Sequence, residues 1–247
     1  MNYSVSKDAL EGKVILVTGA GNGIGRQAAL SYAKHGATVI LLGRNVKNLE
    51  SIYDEIEAAG YPQAAIIPLD LKGATKQNYI DMAETIEGQF GQLDGLLHNA
   101  GVLSALCPFE QINEEDFDDI MQINVKAEVL MTQALLPVMR KSEAGRIIFT
   151  SSTVGHSGRA FWGPYAISKF AVEGMMQVLA DELSDTPMRV NAINPVRLNS
   201  HREKAYPGED ANTLKTPLDI MPLYLHLMDP AMTDIHGQCI DAQPKRK

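Results

Sequence analysis

Cysteine, tryptophan and basic charge are all scarce in this chain: 247 residues hold two cysteines, one tryptophan and 22 lysines and arginines against 30 acids. Two thiols, Cys107 and Cys239, stand far apart in the sequence and cannot build a disulfide framework. They are expected to be inert, half-buried thiols of a reducing compartment, and no metal site is read from them. A net charge of −8 argues against nucleic acid as a partner. No apolar run approaches the ~20 residues of a membrane span. The opening MNYSVSKDALEGK has no apolar segment of signal-peptide length. A soluble cytoplasmic protein with no membrane partner is expected. Internal repeats, low-complexity tracts and interdomain linkers are missing too, so the 45% apolar content is expected to fill one core.

What is present alternates. The run Val14 to Val17 leads into Thr18-Gly-Ala-Gly-Asn-Gly-Ile-Gly25 and then a helical pattern closed by Gly36. Strand, glycine turn and helix is the arrangement in which a helix N-terminus receives a diphosphate. Gly19, Gly23 and Gly25 permit tight turning and close backbone approach. A second strand, Thr38 to Leu42, ends in Gly43-Arg44-Asn45, where an NAD-binding protein usually shows an acid for the ribose 2′-hydroxyl. No acid occurs there, and Arg44 matches a 2′-phosphate instead. Further strands are predicted at Ala64 to Leu69, Leu93 to Leu97, Arg189 to Ile193 and Gly237 to Asp241, with amphipathic helices between them. Asp70, at the end of the third strand, either accepts from an adenine amino group or caps the next turn. His98, at the end of the fourth, reads as structural. Asn113 caps a long helix, and Asn124 within it is either a satisfied buried amide or a functional one. Residues 196–216 are polar and irregular and read as a substrate lid. The whole is expected to be one α/β domain, a doubly wound parallel sheet flanked by helices, over residues 1–247.

The chemistry concentrates in Gly145 to Lys169. Ile147 to Phe149 form a buried strand, Ser151 and Ser152 follow, and Tyr165 and Lys169 stand four apart on a helix and share one face. A serine hydroxyl, a phenol and an ammonium converging at a strand's carboxyl end suit reduction of a carbonyl. The serine holds the oxygen, the phenol gives the proton and the ammonium favours its release.

Taken together, Thr18-Gly-xxx-Gly-x-Gly25, Asn99-Ala-Gly101, Asn124, Ser152 and Tyr165-xxx-Lys169 resemble, over essentially the full length, the short-chain dehydrogenase/reductase superfamily. The chain looks closest to bacterial oxidoreductases without an assigned substrate. The resemblance implies a catalytic tetrad of Asn124, Ser152, Tyr165 and Lys169, with Asn124 anchoring a water that serves Lys169. It implies cofactor contacts from Gly19, Asn22, Gly23, Ile24, Gly25, Arg44, Asp70, Leu71, Asn99, Ala100, Gly101, Tyr165, Lys169, Pro195 and Ser200. The expected cofactor is NADP rather than NAD, the substrate a small carbonyl or alcohol, and the assembly a homodimer or homotetramer. Alternatives are a 3-oxoacyl thioester reductase, for which Arg140, Lys141 and Arg146 are too few basic residues to decide, and a dinucleotide-binding sensor or scaffold with little turnover. Two departures stand out. Val196 replaces the family's glycine after Pro195, and Asp241-Ala-Gln-Pro replaces its C-terminal glycine pair. Because a β-branched residue strongly disfavours positive φ, the loop at Val196 is expected to be shifted, with Ser200 or a backbone amide still reaching the nicotinamide.

Overall fold

The structure, a computed structural model, describes residues 3, 5–196, 198 and 214–243. Seven parallel strands form one sheet in the order β3-β2-β1-β4-β5-β6-β7. They are β1 Val14–Thr18, β2 Thr38–Gly43, β3 Ala65–Pro68, β4 Gly95–His98, β5 Arg146–Thr150, β6 Arg189–Asn194 and β7 Cys239–Asp241. The helices are α1 Gly23–Lys34, α2 Val46–Ala58, α3 Lys76–Phe90, α4 Glu114–Met121, α5 Ala127–Met139, α6 Gly163–Glu182 and α7 Met221–Met228.

Why the strands read as unbroken apolar runs is visible in β1. Val14 and Leu16 enter one core with α3, α5 and α6, whereas Ile15 and Val17 enter the other with α1, α2 and α7. Successive side chains point to opposite faces, and both faces are roofed, so alternation disappears from the sequence. Removing a side chain as enclosed as Leu16 would cost about 2–5 kcal/mol. The strand order reverses between β1 and β4, which opens a crevice at the carboxyl ends of the strands.

Several local expectations shift. The third and fourth strands are shorter than predicted, and the fourth starts late because Asp94 serves as its anchor, its carboxylate accepting from Val14 N at 2.9 Å and from Ser142 Oγ at 2.6 Å. The long helix after Asn113 is interrupted by a π turn over Gln122–Lys126, which carries Asn124. Asn113 caps α4 by accepting from Asp116 N. Thr216 and Asp219 form a reciprocal cap on a short 3-10 turn ahead of α7. Arg146 belongs to no surface patch: it is 1% exposed, and its guanidinium donates to the carbonyls of Ala144, Gly145, Pro187, Asp229, Pro230 and Met232. Burial lowers it to about 10. Among the described residues, no helix is long and apolar enough to cross a membrane. Of the expected lid, only Val196, Leu198 and 214–216 belong to the described residues.

Candidate active site

A cleft of roughly 1600 Å³ runs along the carboxyl ends of β1, β2, β4, β5 and β6. At one end lies the glycine turn. Gly19 and Gly23 stand at φ +64° and +54°, and Asn22 caps α1 in extended conformation. A Cβ on Gly19 would sit 2.9 Å from Ala100 Cα, and one on Gly25 only 2.3 Å from Gly19 O. The turn is thus packed against the end of β4 as closely as glycine allows. Thr18 stitches the two together, its hydroxyl accepting from Asn99 N and Ala100 N at 2.9 and 3.0 Å. The amides of the first α1 turn, with the positive end of the helix dipole, face this end of the cleft.

Gly19, Asn22, Gly23, Ile24, Arg44, Asp70, Leu71, Asn99, Ala100, Gly101 and Pro195 all line the cleft, whereas Gly25 lies buried behind the turn. Arg44 is exposed beside Asn45, which caps α2, and takes part in no ion pair among the described residues. Asp70 does cap its turn, accepting from Lys72 N at 3.1 Å, and still lines the cleft. Ser200 lies outside the described residues.

At the other end Ser152, Tyr165 and Lys169 line the same cleft. Ser152 follows β5, in extended backbone ahead of a short 3-10 turn. Tyr165 sits in the first turn of α6, with Trp162 6.0 Å away between ring centroids. One turn on, Lys169 is buried, its ammonium donating to Thr150 O at 2.7 Å and lying 5.8 Å from the Tyr165 ring centre. Asn124 is fully buried behind them. Its amide oxygen accepts from Val102 N, and its nitrogen donates to Val102 O and Ser168 Oγ. The side chain is therefore spent on holding the loop after β4 against α6. A π turn spaces hydrogen bonds five residues apart, as Ala127 N to Gln122 O shows.

His98 is buried against Phe149, with Nε2 2.9 Å from Thr132 Oγ1; burial first, and Lys169 second, lower it to about 3, so the ring is neutral. Val196 corrects the expectation made for it. Its backbone stands at φ +62°, the left-handed conformation itself, with Asn194 Oδ1 accepting from Val196 N at 3.0 Å. The second departure supplies the support. Asp241 accepts from Asn194 Nδ2 at 2.8 Å, and Gln243 donates to Pro195 O at 2.9 Å. The one other non-glycine residue with positive φ among those described, Phe161 at +74°, adjoins Trp162 on the cleft wall.

Residues 13–209 match the short chain dehydrogenase family. The uncharacterized oxidoreductase YciK of Escherichia coli K12 is 50% identical over 248 residues, covering 100% of this chain and 98% of that protein. A short chain dehydrogenase of Escherichia coli CFT073, crystallised in complex with NADPH, superposes with a TM-score of 0.94 at 49% identity, over 97% of this chain and 100% of that one. The 3-oxoacyl-(acyl-carrier-protein) reductase FabG of Thermotoga maritima is 32% identical, over 94% of this chain and 96% of its own length.

Proposed function

This chain belongs to the short-chain dehydrogenase family, and from that premise we propose an NADP(H)-dependent oxidoreductase acting on a small carbonyl/alcohol pair. The observation that carries the proposal is the convergence of Ser152, Tyr165 and Lys169 on a cleft whose far end is the glycine turn. That turn fits a dinucleotide, because its glycines add no side chain where backbone and Asn99 already fill the space, and the first amides of α1 are left to a diphosphate. Arg44, with no acid at 43–45, supports the 2′-phosphate form, as does a relative crystallised with NADPH. When bound, the nicotinamide supplies or accepts the hydride.

The chain's own residues handle the oxygen and its proton. Ser152 donates to the substrate oxygen where negative charge develops. Tyr165 gives that oxygen its proton or takes it back. Lys169 is held on Thr150 O with its charge beside the Tyr165 ring, and would also hold the cofactor ribose. A water for Lys169 would rest on main chain of the π turn rather than on the Asn124 side chain, which is committed. Asp70 and Leu71 would hold the adenine, and Asn99, Ala100 and Gly101 line the middle of the cleft.

Assembly as a homodimer or homotetramer is supported by the outer face of α6, where Ile167, Phe170 and Val178 stand exposed at helical spacing. Light scattering of the purified chain tests this. Reduction of a 3-oxoacyl thioester is kept as a second substrate class because of the FabG relative, although the buried Arg146 removes one residue from any basic docking patch.

The test is NADPH oxidation against aldehydes, ketones, quinones and a 3-oxoacyl thioester, with Tyr165→Phe beside the parent. The variant should lose at least ~10²-fold in turnover while keeping NADPH affinity, because the ring stays and only the transferable proton goes. A parent that binds NADPH and reduces nothing would make this a dinucleotide sensor instead.

A further inference from the structure

Beside the cleft, and apart from the tetrad, three metal-ligating side chains converge. Glu173 sits on α6 two turns beyond Tyr165 and is buried. Its Oε1 lies 3.3 Å from His156 Nδ1 and 3.4 Å from Cys239 Sγ, and all three donor atoms fall within 4.8 Å of one another. They come from three places in the chain, the loop after β5, helix α6 and strand β7, which is why spacing along the sequence shows nothing.

We propose that His156, Glu173 and Cys239 form a binding site for a divalent zinc-class cation. Zinc takes nitrogen at ~2.0–2.1 Å, carboxylate oxygen at ~2.0–2.2 Å and thiolate at ~2.3 Å, so a tetrahedral site separates its donors by about 3.4–3.7 Å. Two of the three edges here, 3.3 and 3.4 Å, already stand near that separation. The third closes by rotation of the half-exposed His156. One imidazole, one carboxylate and one thiolate is a mixed borderline donor set that suits zinc and disfavours magnesium or calcium. Ser151 donates to the same carboxylate oxygen at 2.5 Å and orients it as an outer-shell partner does. His156 is exposed and lines the cleft, which gives a cation a route in from solvent, and water would complete its coordination. Cysteine ligates as the thiolate, so its proton is released to solvent as the metal–sulfur bond forms.

Cobalt(II) reports such a site directly. Protein freed of metal by a chelator and kept reduced is titrated with cobalt(II) while its absorbance is followed. The expected result is a thiolate-to-cobalt charge-transfer band in the ultraviolet with the intense visible bands of a tetrahedral site. Zinc should reverse both, and affinity should rise with pH. Cys239→Ser should abolish the ultraviolet band, His156→Ala should weaken binding by about 10-fold or more, and Cys107→Ser, which removes the other free thiol, should change neither. Circular dichroism of each variant confirms that it is folded. Absence of the ultraviolet band in the folded parent, its survival in Cys239→Ser, or its loss in Cys107→Ser overturns the assignment.

Discussion

The two ends of the cleft are built by different means. The diphosphate end is backbone: Gly19 and Gly23 turn left-handed, and Gly25 leaves room for Gly19 O. At the opposite end Val196 adopts the same left-handed φ without being glycine, held by Asn194, while Asp241 and Gln243 brace Asn194 and Pro195. A backbone shape can be obtained by omitting side chains or by tying the chain down with them. The first route leaves a motif in the sequence. The second leaves scattered polar residues that look unrelated until they meet.

The largest expected effect tests the backbone route. Gly25→Val places a branched side chain where even a Cβ lies 2.3 Å from Gly19 O and 2.6 Å from Asn99 Nδ2, and although the amide could shift, the carbonyl is backbone and cannot yield without the turn. The turn must move, and NADPH affinity should fall at least ~100-fold, about 2.7 kcal/mol. Isothermal titration calorimetry measures it. Near-normal affinity would mean that this turn is as adaptable as the one at Val196.

The side-chain route has its cost in the core, and Glu128 shows it. One turn beyond Asn124, it is 2% exposed, and among the described residues neither carboxylate oxygen has a hydrogen-bond partner. Burial raises it to about 8, against a smaller opposing pull from Lys169. An ordinary glutamate in the unfolded chain titrates near ~4.3. Between those values the folded state holds a proton that the unfolded state has lost, so stability falls as pH rises from ~4.5 to ~8 and then levels off. The total is on the order of a few kcal/mol. Glu128→Gln should flatten that slope in urea denaturation across the same range. An unchanged slope would assign the pH dependence to other groups.

Arg44 is a smaller test of the diphosphate end, because it is the side chain that this backbone-built region adds at the 2′-position. Arg44→Ala should weaken NADPH by about 10- to 100-fold, the worth of a charge-assisted phosphate contact, and leave NADH nearly unchanged. Parallel titrations with both cofactors decide it, and equal losses for the two would remove the 2′-phosphate assignment.

How far the sequence could be read follows the same division. Apolar runs, glycine turns and caps are local, so the alternation of strands and helices, the doubly wound sheet and the placement of Ser152, Tyr165 and Lys169 on one strand end and one helix were legible in the sequence. Boundaries moved where a long-range bond replaced a local one, as with Asp94 gripping Val14 from 80 residues away. Arg146 looked like surface charge because nothing nearby in sequence announces six backbone carbonyls. The π turn at Asn124 leaves no composition signal, being a change of hydrogen-bond spacing within an otherwise helical run. Cys239 looked inert because His156 and Glu173 lie 83 and 66 residues before it.

The smallest effect bears most directly on the comparison. A non-glycine residue in the left-handed region costs about 1–2 kcal/mol, and a β-branched one stands at the upper end of that range. Val196→Gly relieves the strain but frees the unfolded chain, which takes back roughly 0.5–1 kcal/mol. The net expectation is a gain of about 1 kcal/mol in folding stability, read as a higher denaturation midpoint at constant slope. Cofactor affinity should hardly move, because the backbone already has the shape that glycine would allow. Asn194→Ala is the counter-test. It removes the bond to Val196 N and the partner of Asp241, so the valine loses what holds it left-handed and NADPH binding should weaken. In the Val196→Gly background the same substitution should cost less, since glycine needs no such restraint. If Asn194→Ala costs the same in both backgrounds, the polar network is not what holds the loop, and the two ends of the cleft are built more alike than their sequences suggest.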